Sequence, residues 1–128
     1  MGANADLIRN FVDAMNRHDV DALAACYAPD ARILYPGREP QEPSGYAAGE
    51  RTMLSNVPDY HIEATSLLEA EDGHVLLELT MGGTQREVLG GKSFSMTGAY
   101  IFRIAGGKIV EERAYPDMAG LRRQLSPR

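Results

Sequence analysis

The chain has 128 residues, the size of one ordinary domain. Hydrophobic residues make up 44% of it and charged residues 24%, near the average for globular proteins, which excludes a coiled coil, a collagen-like chain and wholesale disorder. Thirteen basic against eighteen acidic residues give a formal net charge of −5, so we expect no nucleic-acid partner, which would need a basic face. The apolar runs are too short to cross a bilayer, and we expect no membrane partner.

The N-terminal segment and the cysteine content indicate a cytoplasmic protein. Residues 1–6 lack the basic and apolar stretches of a signal peptide. The single cysteine, Cys26, cannot form an internal disulfide, which fits a reducing compartment. One cysteine and three scattered histidines show no metal-ligand spacing, so we expect neither a metal nor another cofactor.

Three helices are predicted in the first half of the chain. Apolar residues at helical spacing predict the first over residues 4–17. Asp19 can cap a second over residues 20–27, and Ser44 a third over residues 44–56. Between the last two, we expect a short strand over residues 31–35 and then a proline-rich loop.

Hairpin-connected strands are predicted in the second half. We expect strands over residues 60–68, 74–81, 94–104 and 108–115, a bulge or bend at Gly82-Gly83, and a tail helix capped by Asp117. Helices followed by such strands predict an α+β fold with an antiparallel sheet, in a single domain over residues 1–128. A strongly curved sheet with helices on one face would form a cone around an apolar pocket.

Two stretches of sequence resemble a known family. The first stretch is Met15-Asn16-Arg17-His18-Asp19-Val20-Asp21-Ala22-Leu23 with Tyr27-Ala28-Pro29-Asp30-Ala31, and the second is Gly98-Ala99-Tyr100-Ile101-Phe102-Arg103-Ile104, Gly107-Lys108-Ile109-Val110-Glu111-Glu112-Arg113, Tyr115-Pro116-Asp117 and Gly120-Leu121-Arg122-Arg123-Gln124-Leu125. Together they resemble the SnoaL-like polyketide cyclases of the nuclear transport factor two-like superfamily. The resemblance implies a cone-shaped α+β domain, a fold that hosts cyclases, isomerases, epoxide hydrolases, dehydratases, hydroxylases and binding domains.

The resemblance also assigns positions to the family's functional residues. Ala114 stands where the cyclases and the limonene epoxide hydrolases carry an aspartate. Tyr100 matches the cyclase histidine and the protonated aspartate of ketosteroid isomerases, and Tyr35 matches the catalytic-base aspartate of those isomerases. Phe11 matches their first-helix tyrosine. None of these constellations is intact in this chain.

Strand alternation predicts which side chains face the pocket. The predicted substrate-binding residues are Phe11, Met15, Met53, Leu77, Leu79, Met81, Met96, Phe102, Ala114 and Asp117. A methionine-rich, mostly apolar lining suits a hydrophobic small-molecule ligand. For Asp117 the simpler interpretation is a helix cap, and the alternative is a catalytic aspartate shifted along the chain.

Three polar residues are the predicted catalytic candidates. Burial would raise the pKa of Glu112 and suit it to act as a general base. Tyr100 would donate a hydrogen bond to a developing enolate, and Tyr35 would be a second donor or acid. The alternatives are that Glu112 leans to the pocket mouth or pairs with one of three arginines, Arg86, Arg103 or Arg113, and that the tyrosines are core residues.

The sequence therefore predicts a cofactor-independent cyclase or isomerase that acts by proton transfer on a hydrophobic, polycyclic or polyketide-like carbonyl compound. Because Ala114 replaces the family aspartate, a non-catalytic binding or accessory domain is an alternative, and an engineered Ala114 is another. An epoxide hydrolase or dehydratase of the same fold also stays open. We further expect a homodimer through the outer sheet face, which would carry Leu76, Glu78, Thr80, Ile101 and Arg103.

Overall fold

Residues 2–126, which the computed structural model describes, form four α-helices and five β-strands. The helices are α1 (Ala3–Asn16), α2 (Val20–Ala24), α3 (Pro43–Asn56) and α4 (Met118–Leu125). The strands are β1 (Tyr27–Leu34), β2 (His61–Glu69), β3 (Val75–Thr84), β4 (Ser93–Ala105) and β5 (Lys108–Pro116). The predicted α+β class is confirmed. Within these residues, no helix combines the length and the hydropathy that crossing a bilayer requires.

The five strands form one curved sheet in the order β1-β5-β4-β3-β2. Strands β2 to β5 are antiparallel to one another, but β1 runs parallel to β5, with Ile33 opposite Glu112. The sheet is therefore mixed, and the prediction of an antiparallel sheet is wrong at this edge. A parallel pair needs a long connection. Here α3 carries the chain from β1 to the far edge, and the four-strand meander brings it back.

Two aspartates begin helices, as predicted. Asp19 accepts a hydrogen bond from the backbone N–H of Ala22 at 3.0 Å, and Asp117 accepts one from Gly120 at 2.9 Å. Each bond satisfies a donor that the start of a helix leaves free. Helix α3 begins differently from the prediction: Pro43, whose fixed φ suits the first turn, takes the leading position, and Ser44 is not the cap.

Helix α2 ends earlier than predicted, at Ala24, and Tyr27 is already the first residue of β1. Pro29 and Asp30 are exposed strand residues on the sheet edge, where the register with β5 shifts between Tyr27 and Arg32. Proline is tolerated at such an irregular edge because no ladder hydrogen bond is lost there. As a result, Tyr27 is buried beside β5 rather than packed on a helix.

Of the two options predicted at Gly82-Gly83, the bulge is wrong, because both glycines continue β3 and pair with Ser95 and Phe94 in regular register. Glycine is required at position 83 for packing, because a Cβ atom there would collide with the Val57 side chain at the end of α3. The missing side chain lets the loop after α3 approach the sheet closely.

Helix α1 covers part of the inner sheet face. The Phe11 ring meets Phe102 edge-on, with ring centroids 5.4 Å apart. The Asn16 side chain donates to the carbonyl of Ile62 at 2.9 Å and accepts from its N–H at 2.8 Å, which extends the hydrogen bonding of edge strand β2. These contacts fill one end of the concave face and leave space next to α3.

Candidate active site

A cavity of about 290 Å³ lies between the inner sheet face and helices α1, α3 and α4. Eight of the residues predicted for the pocket line it: Phe11, Met15, Tyr35, Met53, Leu79, Met81, Met96 and Tyr100. Polar wall residues that the sequence analysis missed are Arg38, Gln41, Tyr46, Glu50 and Tyr60. In the described part of the chain, the wall thus has four phenols and one carboxyl group, and it is more polar than predicted.

Four predicted lining residues lie elsewhere. Leu77, Phe102 and Ala114 face inward, as alternation requires, but they are buried in the core below the cavity. There the aromatic contact of Phe11 with Phe102 fills the space that the prediction left open. Asp117 caps α4, in agreement with the simpler of its two interpretations.

Methionine supplies much of the apolar wall. Five of the six methionines of the sequence line the cavity: Met15, Met53, Met81, Met96 and Met118. The unbranched thioether chain adapts to ligands of different outline. A flat hydrophobic molecule therefore fits this wall better than a small polar one.

Tyr100 presents a hydroxyl group with a weak partner. Its hydroxyl donates to the thioether sulfur of Met81 at 3.5 Å, a poor acceptor that a ligand oxygen would replace. Burial raises the pKa of Tyr100 above its ordinary value, with smaller contributions from nearby Tyr35 and Tyr60. The group therefore stays protonated at neutral pH and is a hydrogen-bond donor to the cavity.

Glu50 is the carboxyl group of the cavity wall. It follows Tyr46 by one turn of α3, so both side chains are on the same face. Its Oε2 atom is buried and has no hydrogen-bond partner among residues 2–126. Burial raises the pKa of Glu50 to about 7, and hydrogen bonding from Tyr46 opposes this rise only in part. Near neutral pH, Glu50 can therefore both take up and release a proton.

Glu112 lies behind the wall, with only 1% of its surface exposed. Its neighbours across the sheet are Ile33 on β1 and Phe102 on β4, and the Tyr27 hydroxyl donates a short hydrogen bond to its Oε1 atom. Burial raises the pKa of Glu112 to about 7, the bond from Tyr27 opposes the rise, and the charge of Glu50 adds to it. The carboxyl group is thus held in the core as a titratable acid.

The alternative in which Glu112 pairs with an arginine is wrong. Within residues 2–126 it forms no ion pair, and Arg113 lies closer to Glu111, with 3.8 Å between Nε and Oε1. Glu112 does not lean to the cavity mouth either, since it is buried. The absence of a cation explains why burial dominates its pKa.

Only some of the site residues that the sequence analysis missed could have been found from a sequence pattern. Tyr46, Glu50 and Met53 recur at spacings of four and three, which is one face of a helix, and a glutamate in such a stripe marks a candidate site. Tyr60 was predicted at the start of a strand, but no face of the sheet was predicted for its side chain. Tyr27 was hidden, because the helical spacing of residues 20–27 continued through it.

The SnoaL-like domain family matches residues 8–112 of this sequence. Because this match spans most of the sequence, the chain belongs to the SnoaL-like family, and the resemblance predicted from the sequence is confirmed. No curated protein matches the sequence.

Solved structures share the fold at low sequence identity. AclR from Streptomyces galilaeus, described as a proposed hydroxylase, is 23% identical and superposes with a TM-score of 0.85 over 95% of this chain and 80% of its own. IdmH from Streptomyces antibioticus, described as a proposed polyketide cyclase, is 24% identical, with a TM-score of 0.81 over 95% and 97%. An NTF2-like protein from Burkholderia pseudomallei is 18% identical, with a TM-score of 0.84 over 99% and 100%. These superpositions show a common fold.

Proposed function

We propose that this protein is a cofactor-independent enzyme that moves a proton on a hydrophobic, polyketide-like carbonyl compound. The observation that carries the proposal is the carboxyl group of Glu50, whose unpartnered oxygen lies in the wall of a methionine-rich cavity next to phenol donors. A base and an enolate donor at opposite sides of one apolar cavity are the parts that such a reaction needs.

In the proposed reaction, the Glu50 carboxylate removes a proton from the carbon next to the substrate carbonyl. As negative charge develops on the carbonyl oxygen, the Tyr100 hydroxyl donates a hydrogen bond to it, and Tyr35 or Tyr60 is a second donor. We assign the base to Glu50 rather than to Glu112 because Glu50 lines the cavity while Glu112 is buried behind it. The enolate then reacts onward or is reprotonated by the same carboxyl group.

Cyclisation by aldol addition, isomerisation and dehydration all begin with this step. The description of IdmH as a proposed polyketide cyclase supports a polyketide-like substrate. Ala114, at the position where both the family cyclases and the epoxide hydrolases carry an aspartate, is fully buried below the cavity, so neither type of reaction can use that position here and the proposed base is Glu50 instead.

A non-catalytic binding domain is the second candidate. Its support is again Ala114, at the position of the family aspartate. Such a domain would keep the cavity and its affinity for hydrophobic ligands, whereas the carboxyl group of Glu50 would play no part in turnover.

A ligand screen with matched variants separates the two candidates. Polycyclic ketones and polyketide-like aromatic compounds are tested for thermal stabilisation, and each stabilising compound is then followed for conversion. Glu50→Gln removes the proposed base, and Glu63→Gln, on an exposed position of β2, is the control. Conversion that Glu63→Gln keeps and Glu50→Gln loses supports the enzyme. Stabilisation without conversion, in wild type and variants alike, would overturn it in favour of the binding domain.

A further inference from the structure

A second acidic group without a role in the proposed reaction is buried a short distance from Glu50. Glu112 and Tyr27 form a hydrogen-bonded pair, called here the buried pair, and both side chains are sealed from solvent. Burying an acid in the core is costly unless its interactions compensate. A buried acid that the proposed reaction does not use therefore indicates a second role for this pair.

Tyr46 connects the buried pair to the cavity. Its ring lies 5.5 Å from the ring of Tyr27, measured between centroids. On its other side it shares a face of α3 with Glu50, one turn further along the helix, and it lowers the pKa of both Tyr27 and Glu50. A tyrosine hydroxyl can accept one hydrogen bond while it donates another. The order Glu50, Tyr46, Tyr27, Glu112 thus places two phenols, each able to pass on a proton, between the two carboxyl groups.

The surroundings of the two carboxyl groups contain other phenols, and Arg38, a cation of the cavity wall, lies over the Tyr35 ring at 5.2 Å from its centroid rather than pairing with either carboxyl group. The titratable groups that face Glu112 are Tyr27 and Tyr35 from the β1 side, Tyr46 and Glu50 from α3, and Tyr100 from β4. Tyr60, before β2, faces Glu50. Within residues 2–126 neither carboxyl group forms an ion pair, so nothing there holds both of them ionised. Two adjacent acids in such a place interact and titrate as one system.

We propose that Glu50 and Glu112 share one proton through Tyr46 and Tyr27, so that Glu112 stores the proton that Glu50 takes from the substrate. This inference rests on the proposed function for the source of the proton, while the sharing itself is a property of the protein alone. It gives Glu112 a role as a positioning and storage group that does not touch the substrate.

The transfer balances without any further reactant. The proton on Glu50 passes to the Tyr46 oxygen as the Tyr46 proton passes to Tyr27, and the Tyr27 proton passes to Glu112. One O–H bond breaks at Glu50 and one forms at Glu112. Each tyrosine gains one proton and loses one, and no group is oxidised or reduced. The Glu50 carboxylate is regenerated for the next step.

The test is a pH titration of the side-chain carboxyl carbons by NMR, with ¹³C-labelled glutamate in the intact protein and without any substrate. Glu50→Gln and Glu112→Gln assign the two signals, and Glu63→Gln is the control. In wild type, each of the two signals is expected to shift in two steps, because each group senses the ionisation of the other. In Glu112→Gln, Glu50 should titrate in one step with its midpoint lower by roughly half a pH unit or more, since a neighbouring charge is gone.

Two tyrosine variants give opposite results if the proton is shared. Tyr27→Phe removes the hydrogen bond to Glu112, so the shared proton should move to Glu112 and Glu50 should ionise at lower pH. Tyr46→Phe removes the phenol that lowers the pKa of Glu50, so the proton should move to Glu50 and Glu112 should ionise at lower pH. A merely structural role of the tyrosines does not predict this reversal. The glutamate variants keep the test valid if a tyrosine variant fails to fold.

Independent titration would overturn the inference: one step for each group, with a midpoint that does not respond when the other glutamate is replaced. The proposed function fails separately. Coupled titration in a protein that converts no carbonyl compound would contradict the enzyme and leave proton sharing standing. Independent titration in an active enzyme would do the reverse.

Discussion

The two faces of the same sheet differ more than their amino-acid compositions suggest. On β3, Leu77 and Leu79 point inward and are 1% and 2% exposed, whereas Leu76 points outward and is 43% exposed. Phenols and two acids gather on the inner side of the sheet, with Glu112 on β5 and Glu50 on the facing helix α3, whereas the acids of the outer face are at least partly exposed to solvent. Polar groups on the outer face are solvated, whereas those on the inner side have lost water and have few protein partners: Glu50 Oε2 has none within residues 2–126, and Tyr100 has only the Met81 sulfur.

This difference shows where the chemistry of the molecule resides. Around the cavity, burial raises the pKa values of Glu50 on α3 and Glu112 on β5 to about 7, so small changes in their surroundings change their protonation at neutral pH. On the outer face, Leu68, Leu76 and Tyr115 form an exposed apolar surface that offers contact area rather than proton transfer. The four predictions below test this contrast.

The largest expected effect is on catalysis. With a substrate from the ligand screen, Glu50→Gln should lower kcat by about 10²–10⁴-fold, the usual contribution of a general base. Since the base acts in its ionised form, wild-type kcat should rise with pH through about 7, and the rise should be absent from the residual activity of the variant. Steady-state kinetics between pH 5 and pH 9 measures both. A variant with wild-type kcat would show that Glu50 is not the base.

The next effect is on the pH dependence of stability. A carboxyl group whose pKa is raised from 4.5 to about 7 on folding contributes stability that is complete below pH 4.5 and is lost as the pH rises through about 7. Each pKa unit corresponds to about 1.4 kcal/mol, so the loss for Glu112 is on the order of 3 kcal/mol. Urea unfolding at pH 5 and pH 8 should show a smaller difference for Glu112→Gln than for wild type. An equal difference would contradict the burial effect.

A smaller effect is expected where α3 meets the sheet. Gly83→Ala places a methyl group against Val57, and we expect a loss of about 1–3 kcal/mol in the free energy of unfolding from overpacking. Gly45→Ala is the matched control, because open space surrounds that position in α3, and alanine there should be neutral or stabilising. Chemical denaturation measures both variants. Equal stabilities would show that the loop moves away without cost.

The smallest effect on stability belongs to the outer face. Leu76→Glu should change the free energy of unfolding of a monomer by no more than about 0.5 kcal/mol, since this side chain is partly exposed. If the predicted homodimer forms through this face, the same substitution should dissociate it. Light scattering of wild type and variant at micromolar concentration checks this. A monomeric wild type would make the homodimer prediction wrong.

Local signals in the sequence predicted most of the elements. Asp19 and Asp117 marked helix starts because their side chains accept a hydrogen bond from the backbone three residues ahead, and the glycines after β4 marked its hairpin. The parallel pairing of β1 with β5 was not predictable in this way. It depends on where the chain returns after 70 further residues or more. The pattern of β1 alone does not specify at which edge of the sheet the strand pairs.

The candidate site was predictable where alternation along a strand decides direction. Alternation placed Leu79, Met81 and Tyr100 at the cavity, but it could not tell core from cavity, because that depends on how deep α1 packs. Glu112 was singled out by its type and strand, whereas its partner Tyr27 depended on a helix end that propensity set too late. Which side chains line the cavity and which residue bonds to Glu112 thus depend on how the helices and strands pack together, and not on the pattern within each element.

The hydrogen bond between Tyr27 and Glu112 joins residues 85 positions apart, and β5 is the only sheet neighbour of β1 in the described chain. During synthesis, β1 therefore has no strand to pair with in the sheet until β5 has emerged from the ribosome. The storage acid arrives with that last strand, so a nascent chain lacking it has neither a closed sheet nor an acid behind the cavity wall. Assembly and competence for proton transfer are completed in a single late event.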